Sequence, residues 1–235
     1  MAHGMFTTYS YRLADVLPDE QAMADYLHLD DKAHPAYVFM QHKLQELSAT
    51  PLETVGGYVL LPVERVDVRQ GCLDVAGTSL HVNRQICGYM RGATEAALFL
   101  CTAGEVFTKQ YRDYSDSRDY LEAYVTDSIG SLTVENAMDK VQQQLSGEMA
   151  KEGLRISNRY SPGYCNWPLD GQHDLFRLIG NNPTGIQLSA SSLMYPTKSV
   201  SGIIGIGAQM RRREYGCAIC KNANCIYRRI VQHDK

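Results

Sequence analysis

Two stretches of this 235-residue chain combine residue types that can do chemistry at spacings that bring them together. The first is Arg159-Tyr160-Ser161-Pro162-Gly163-Tyr164, an arginine followed at once by a turn signal. Pro-Gly fits a type II turn, because proline presets φ at the second position and glycine accepts positive φ at the third. A guanidinium beside such a turn can pair bidentately with a carboxylate, while backbone at Ser161 and Gly163 contacts an adenosine-like group. The plainer reading is a surface turn with an exposed arginine. The second stretch is Cys217-x-x-Cys220-x-x-x-x-Cys225, a spacing that lets thiolates face one ion. Three thiolates are incomplete for zinc or an iron–sulfur cluster, and Cys165, His233 or a partner can complete the set. Chance clustering or a redox-active pair accounts for the same pattern.

Downstream of the turn lie Ser191-Ser192-Leu193-Met194-Tyr195-Pro196 and Ser199-Val200-Ser201-Gly202. Small residues, a proline, hydroxyls and aromatics together suit a ligand pocket, where backbone must approach closely and a few polar groups fix orientation. Gly202-x-x-Gly205-x-Gly207 has the look of a phosphate loop, but it lies in an isoleucine-rich strand pattern with no helix start after it. The histidines are scattered without ligand spacing.

The elements that must position these residues read as follows. Pro18-Asp19-Glu20 marks a helix start, and residues 33–47 carry a second helical pattern that Thr50-Pro51 ends. Tyr58–Val63 and Val66–Val68 are β-rich, and 72–76 with 79–82 flank Gly77-Thr78 as a hairpin. Ala96–Cys101 is a continuous apolar run, expected as a buried strand, followed by a helix over 105–114. Leu121, Val125, Ile129, Leu132, Ala137, Val141, Leu145 and Met149 predict one long amphipathic helix that Gly153 ends. Gly130 inside it implies a break or close packing. By periodicity Glu135 falls on a solvated face. A helix near 172–179 and strands over 185–191 and 200–208 complete the pattern. The expected fold is α+β, a twisted antiparallel sheet packed with helices. The expected division is an N-terminal helical cap over 1–50, the main domain over 51–210 and a cysteine-rich tail over 211–235.

Composition is that of a globular protein, with 44% hydrophobic and 21% charged residues. A net charge of −3 disfavours a nucleic-acid binder. No apolar run reaches the roughly 18 residues of a membrane span. Met1-Ala2-His3-Gly4-Met5 does not open like a secretory signal, so a reduced, cytoplasmic setting is expected for the seven cysteines.

Taken in order, Arg-Tyr-Ser-Pro-Gly-Tyr at 159–164, Leu-Ser-Ala-Ser-Ser-Leu-Met-Tyr-Pro at 188–196 and Ser-Val-Ser-Gly at 199–202 resemble the activation domain of cobalamin-dependent methionine synthase. The similarity extends more weakly upstream to Thr102-Ala103-Gly104. It implies an S-adenosylmethionine site built from Arg159, Ser161, Gly163 and Tyr164, with Glu135 as the acidic residue of the preceding helix and Tyr215 as a further tyrosine. Departures are Tyr160 in place of proline and Cys165-Asn166-Trp167-Pro168 in place of a Pro-x-Cys-Pro segment. The sequence also lacks an Asp-x-His-x-x-Gly corrinoid-ligand motif. The resemblance therefore implies a stand-alone form that supports reductive methylation of cobalamin carried by a separate methionine synthase or other corrinoid protein, with an electron donor such as a flavodoxin-like protein. The competing expectation is a metal-containing (iron–sulfur or zinc) electron-transfer or docking module, with Cys217, Cys220 and Cys225 as ligands. Arg211-Arg212-Arg213 is read as a solvated run or as a dock for an acidic donor or a corrinoid phosphate.

Overall fold

The computed structural model describes residues 4–212. Strand β1 (Thr7–Arg12) leads through a short 3-10 turn to helices α1 (Glu20–Leu27) and α2 (Pro35–Ser48). Asp19 caps α1, its carboxylate accepting the Ala22 N–H at 2.7 Å. Strand β2 (Glu53–Asp67) follows, then the hairpin β3 (Cys72–Val75) and β4 (Thr78–His81), then the short helix α3 (Arg84–Tyr89). Strand β5 (Glu95–Thr102), helix α4 (Glu105–Ser117) and the 32-residue helix α5 (Tyr120–Lys151) come next. Strand β6 (Arg155–Tyr160), helix α6 (Gly171–Ile179), the short strands β7 (Gln187–Leu188) and β8 (Met194–Tyr195), and strand β9 (Ser199–Gly207) close the described chain.

Seven strands form one antiparallel sheet in the order β4-β3-β2-β5-β9-β6, with β1 added beside the first half of β2. Strand β6 pairs only with β9, so it is an edge. The expected α+β class with helices against an antiparallel sheet is what the structure has. Both faces are covered, which explains the unbroken apolar run in β5. Ala97, Phe99 and Cys101 join the core under α1, α2, α4 and α5, while Ala96, Leu98 and Leu100 join the core under α3, α6 and the hairpin.

Helix α5 is held over the first face by more than its apolar stripe. Glu148 accepts the hydroxyls of Tyr9 at 2.8 Å and Tyr58 at 2.6 Å, joining β1 and β2 to its C-terminal half. Burial, then the Glu148 bond, raises the Tyr58 hydroxyl above its ordinary value. Lys43 on α2 lies over the rings of Phe39 at 5.5 Å and Tyr114 at 5.3 Å, and so joins α2 to α4.

Three local expectations change. Residues 7–12 are a strand, with Tyr9 and Tyr11 half-buried on alternate positions. Helix α3 was not expected; it starts at Asn83, whose side chain accepts the N–H groups of Gln85 and Ile86 at 2.8 and 3.0 Å. The strand expected over 185–191 shrinks to β7, because the serines bond locally. Leu193 N–H donates to Ser189 Oγ and Ser189 N–H to the Leu193 carbonyl, both at 2.9 Å.

Gly130 does not break α5; it is a point of close packing. A Cβ there would lie 2.7 Å from Phe107 Cγ and 2.9 Å from Lys198 Cγ. Gly130→Ala should therefore destabilise the protein by about 1–2 kcal/mol, overpacking outweighing the roughly 1 kcal/mol of helix propensity gained. Urea denaturation of both proteins checks the sign.

Candidate functional site

The site begins with an irregularity in the edge strand. Ile156 pairs with Ile206 and Arg159 with Ile204, so β6 has two residues, Ser157 and Asn158, opposite the single Gly205 of β9. Gly205 N–H bonds to the Ser157 hydroxyl at 2.8 Å, and that hydroxyl donates to the Asn158 carbonyl at 2.8 Å. Side chains alternate along a strand, so without the bulge Asn158 would follow Ile156 on the α5 face. With it, Arg159 takes that place.

There Arg159 meets two acids one turn apart on α5. Its Nη2 lies 3.0 Å from Glu135 Oε2 and its Nη1 2.8 Å from Asp139 Oδ1. Arg159 is 22% exposed, Glu135 51%. Burial raises the Glu135 carboxyl above its ordinary value, ahead of the lowering by Arg159 and the raising by Asp139.

The turn follows directly. Tyr164 N–H bonds to the Ser161 carbonyl at 3.1 Å, and Gly163 has φ of +89°. Both are expected of Ser-Pro-Gly-Tyr as a type II turn. Gly163 N–H donates to the Trp167 carbonyl at 2.8 Å, and the Trp167 ring is buried, so the turn is anchored in the second core. Cys165 and Asn166 both have positive φ, and Asn83 donates to the Cys165 carbonyl. Tyr164 stays 72% exposed at the rim.

The segment between the later motifs reaches α4 and α5. After the cis Tyr195-Pro196 bond, Thr197 N–H donates to Thr108 Oγ1 at 3.1 Å. Lys198 Nζ lies 2.7 Å from Asp127 Oδ1 and 2.9 Å from Ser131 Oγ. Asp127, Ser131, Glu135 and Asp139 follow one another at intervals of four along α5, so one face receives Lys198, just ahead of the third motif, and Arg159 from the first. Gly202 brings the two motifs together. A Cβ there would strike the Tyr160 carbonyl and lie 2.8 Å from Ser161 Oγ and 2.7 Å from Phe99 Cζ.

Glu135, Arg159, Ser161, Gly163 and Tyr164 thus belong to one neighbourhood of α5, β6 and the turn. Two clefts lie elsewhere. One of about 450 Å³ is lined by His81, Trp167, Asp170 and His173, and one of about 380 Å³ by Leu17, Glu20, Gln41 and Leu44. In the first, His81 is bonded to Cys72 at 3.2 Å and His173 to Ser192 at 3.1 Å. Among the described residues no three His, Cys, Asp or Glu side chains are grouped to hold a metal ion. Tyr215, Cys217, Cys220 and Cys225 lie outside the described residues. Likewise, no described helix is long and apolar enough to cross a membrane. Sequence reasoning missed Asp139 and Lys198. The signal for the first was Glu135-x-x-x-Asp139, two acids on one helix turn that call for a cation between them.

An antiparallel sheet packed with a long helix is also the fold of a solved protein. The chain superposes on the crystal structure of the MetH reactivation domain bound to AdoHcy with a TM-score of 0.60 and 15% identity, covering 91% of this chain and 82% of that one. Residues 90–228, more than half of the chain, match the family described as vitamin B12 dependent methionine synthase, activation domain. The chain belongs to that family. No curated protein matches it.

Gly202→Ala should cost about 3 kcal/mol, because the Tyr160 carbonyl is backbone and cannot move aside as a side chain can. Chemical denaturation measures it, and a loss below about 1 kcal/mol would show that the β6–β9 approach is looser than described.

Proposed function

We propose that this chain binds S-adenosylmethionine between α5 and the 159–164 turn and supports reductive methylation of cobalamin carried by a partner methionine synthase. The observation that carries the reading is the Arg159–Glu135 pair on the α5 face. The amino-acid end of the ligand has one carboxylate and one ammonium, and a guanidinium beside a carboxylate complements both. Family membership and the fold shared with a reactivation domain bound to AdoHcy support the same reading.

In this reading Arg159 holds the carboxylate, Glu135 the ammonium, and backbone at Ser161 and Gly163 the adenosine part, with Tyr164 at the rim. One electron from a donor such as a flavodoxin-like protein, with the methyl group of the sulfonium, converts the partner's Co(II) corrinoid to methylcobalamin, and the sulfur leaves as the thioether of S-adenosylhomocysteine. No proton is moved, so the chain needs no general base. It contributes position and the exclusion of water. Tyr215 stays in the proposal as a second tyrosine toward the ligand.

Isothermal calorimetry tests binding. Arg159→Ala should weaken S-adenosylmethionine about ten- to hundredfold, the range for losing a charged hydrogen bond. Unchanged affinity in that variant would sink the reading. Function is tested by mixing the protein with Co(II) methionine synthase, a reductant and methyl-labelled S-adenosylmethionine, where label must reach the corrinoid.

Acidity supplies a second check. Only the ionised Glu135 attracts the ammonium, and its carboxyl titrates above the ordinary 4.5 in the folded protein. Affinity should therefore be full at neutral pH and fall as the pH drops toward that raised value, and Glu135→Gln should be weaker throughout and remove the dependence. A wild-type profile that is flat down to pH 4.5 would count against Glu135.

A further inference from the structure

Both terminal nitrogens of Arg159 are already committed to α5, and to two different residues: Nη2 to Glu135 at 3.0 Å and Nη1 to Asp139 at 2.8 Å. A ligand carboxylate bound in fork-to-fork fashion needs two parallel N–H bonds from one guanidinium. It would also bring a third negative charge to a single positive one. We propose that Asp139 is a specificity-determining residue that competes with the ligand carboxylate for Arg159 and gives way to it. The inference rests on the S-adenosylmethionine reading above and adds to it which contact is exchanged.

Charge and solvation decide which acid is released. Around Arg159 the site holds one positive and two negative groups, and the ligand's amino-acid end adds one of each. Its ammonium supplies a new partner for one acid only. Glu135 is the acid that burial penalises when ionised, so it gains most from a second cation. Asp139 keeps 57% of its side-chain surface in water, so its carboxylate is readily rehydrated once released. Asp139 is therefore the surplus charge. It holds Arg159 on the α5 face, and it sets how much of the guanidinium's attraction is left for a ligand.

Calorimetry of wild type and Asp139→Asn with three probes tests this: S-adenosylmethionine, S-adenosylhomocysteine, and 5′-methylthioadenosine, which lacks the amino-acid end. The variant should bind the first two about two- to fivefold more tightly, the scale of one exposed ion pair, and the third unchanged. Asp139→Glu, which keeps the competing charge, should stay near wild type. An Asp139→Asn protein that binds the amino-acid ligands no more tightly than wild type overturns the proposal, Asp139 then serving only to orient Arg159. So does an equal change for all three probes, or a change confined to the sulfonium ligand, which would mark a general charge effect. Failure of wild type to bind S-adenosylmethionine at all sinks the underlying reading, and this inference with it. Binding without tightening sinks this inference alone. The side chain is exposed, so an unchanged unfolding midpoint confirms that the variant is folded.

Discussion

The Ser157 hydroxyl takes the Gly205 N–H at the point where β6 carries one residue more than β9. That bond lets an extra residue sit inside a sheet without leaving a buried donor unmade, an omission that costs about 1–3 kcal/mol. The consequence is one of parity. Each residue of β6 beyond the bulge lies on the opposite face from the one simple alternation gives it, and a guanidinium arrives under α5 where an asparagine would have been. Gly202 then matters because the shifted strand end and Ser161 press directly on β9.

Helix α5 receives what the sheet edge delivers. Its inner face is apolar from Val125 to Met149 and is held by Glu148 to two tyrosines. A neighbouring face carries Asp127, Glu135 and Asp139, acids that repel one another unless cations are brought from elsewhere. Lys198, just ahead of β9, and Arg159, near the end of β6, settle on it separately. The sheet edge and the helix are thus joined by charges that are only partly shielded from water, the kind of contact that a charged ligand can rearrange without disturbing the apolar core beneath.

Much of this was legible in the residues. The run 96–101 reads as a strand covered on both faces, and the spacing from Leu121 to Met149 reads as one long helix, because apolar periodicity is written in the segment itself. The turn at 161–164 is equally local, since proline and glycine dictate it. Helix α3 escaped because it is six residues long and its signal is a single Asn83 cap. Strand β1 escaped although Tyr9 and Tyr11 alternate, because its partner lies more than forty positions away. The bulge could not be read at all, since it exists only relative to β9. Glu135 illustrates the same limit. Periodicity puts it on a solvated face, and half of it is indeed solvated; only the register of another strand gives it Arg159 as a neighbour.

Strand β2 leads to one more consequence. It lies wholly ahead of residues 90–228, the span by which the family is recognised, yet it hydrogen-bonds along the whole of β5. Leu13, Met23, Met40, Leu47 and Tyr58 also lie ahead of that span, and they share one core with the inner face of α5. A fragment cut to the recognised span would expose the inner edge of β5 and strip the helix that carries Glu135 of much of its support. Kinship is written in the half of the chain that carries the motifs, but the core and the sheet beneath them are completed by residues further upstream.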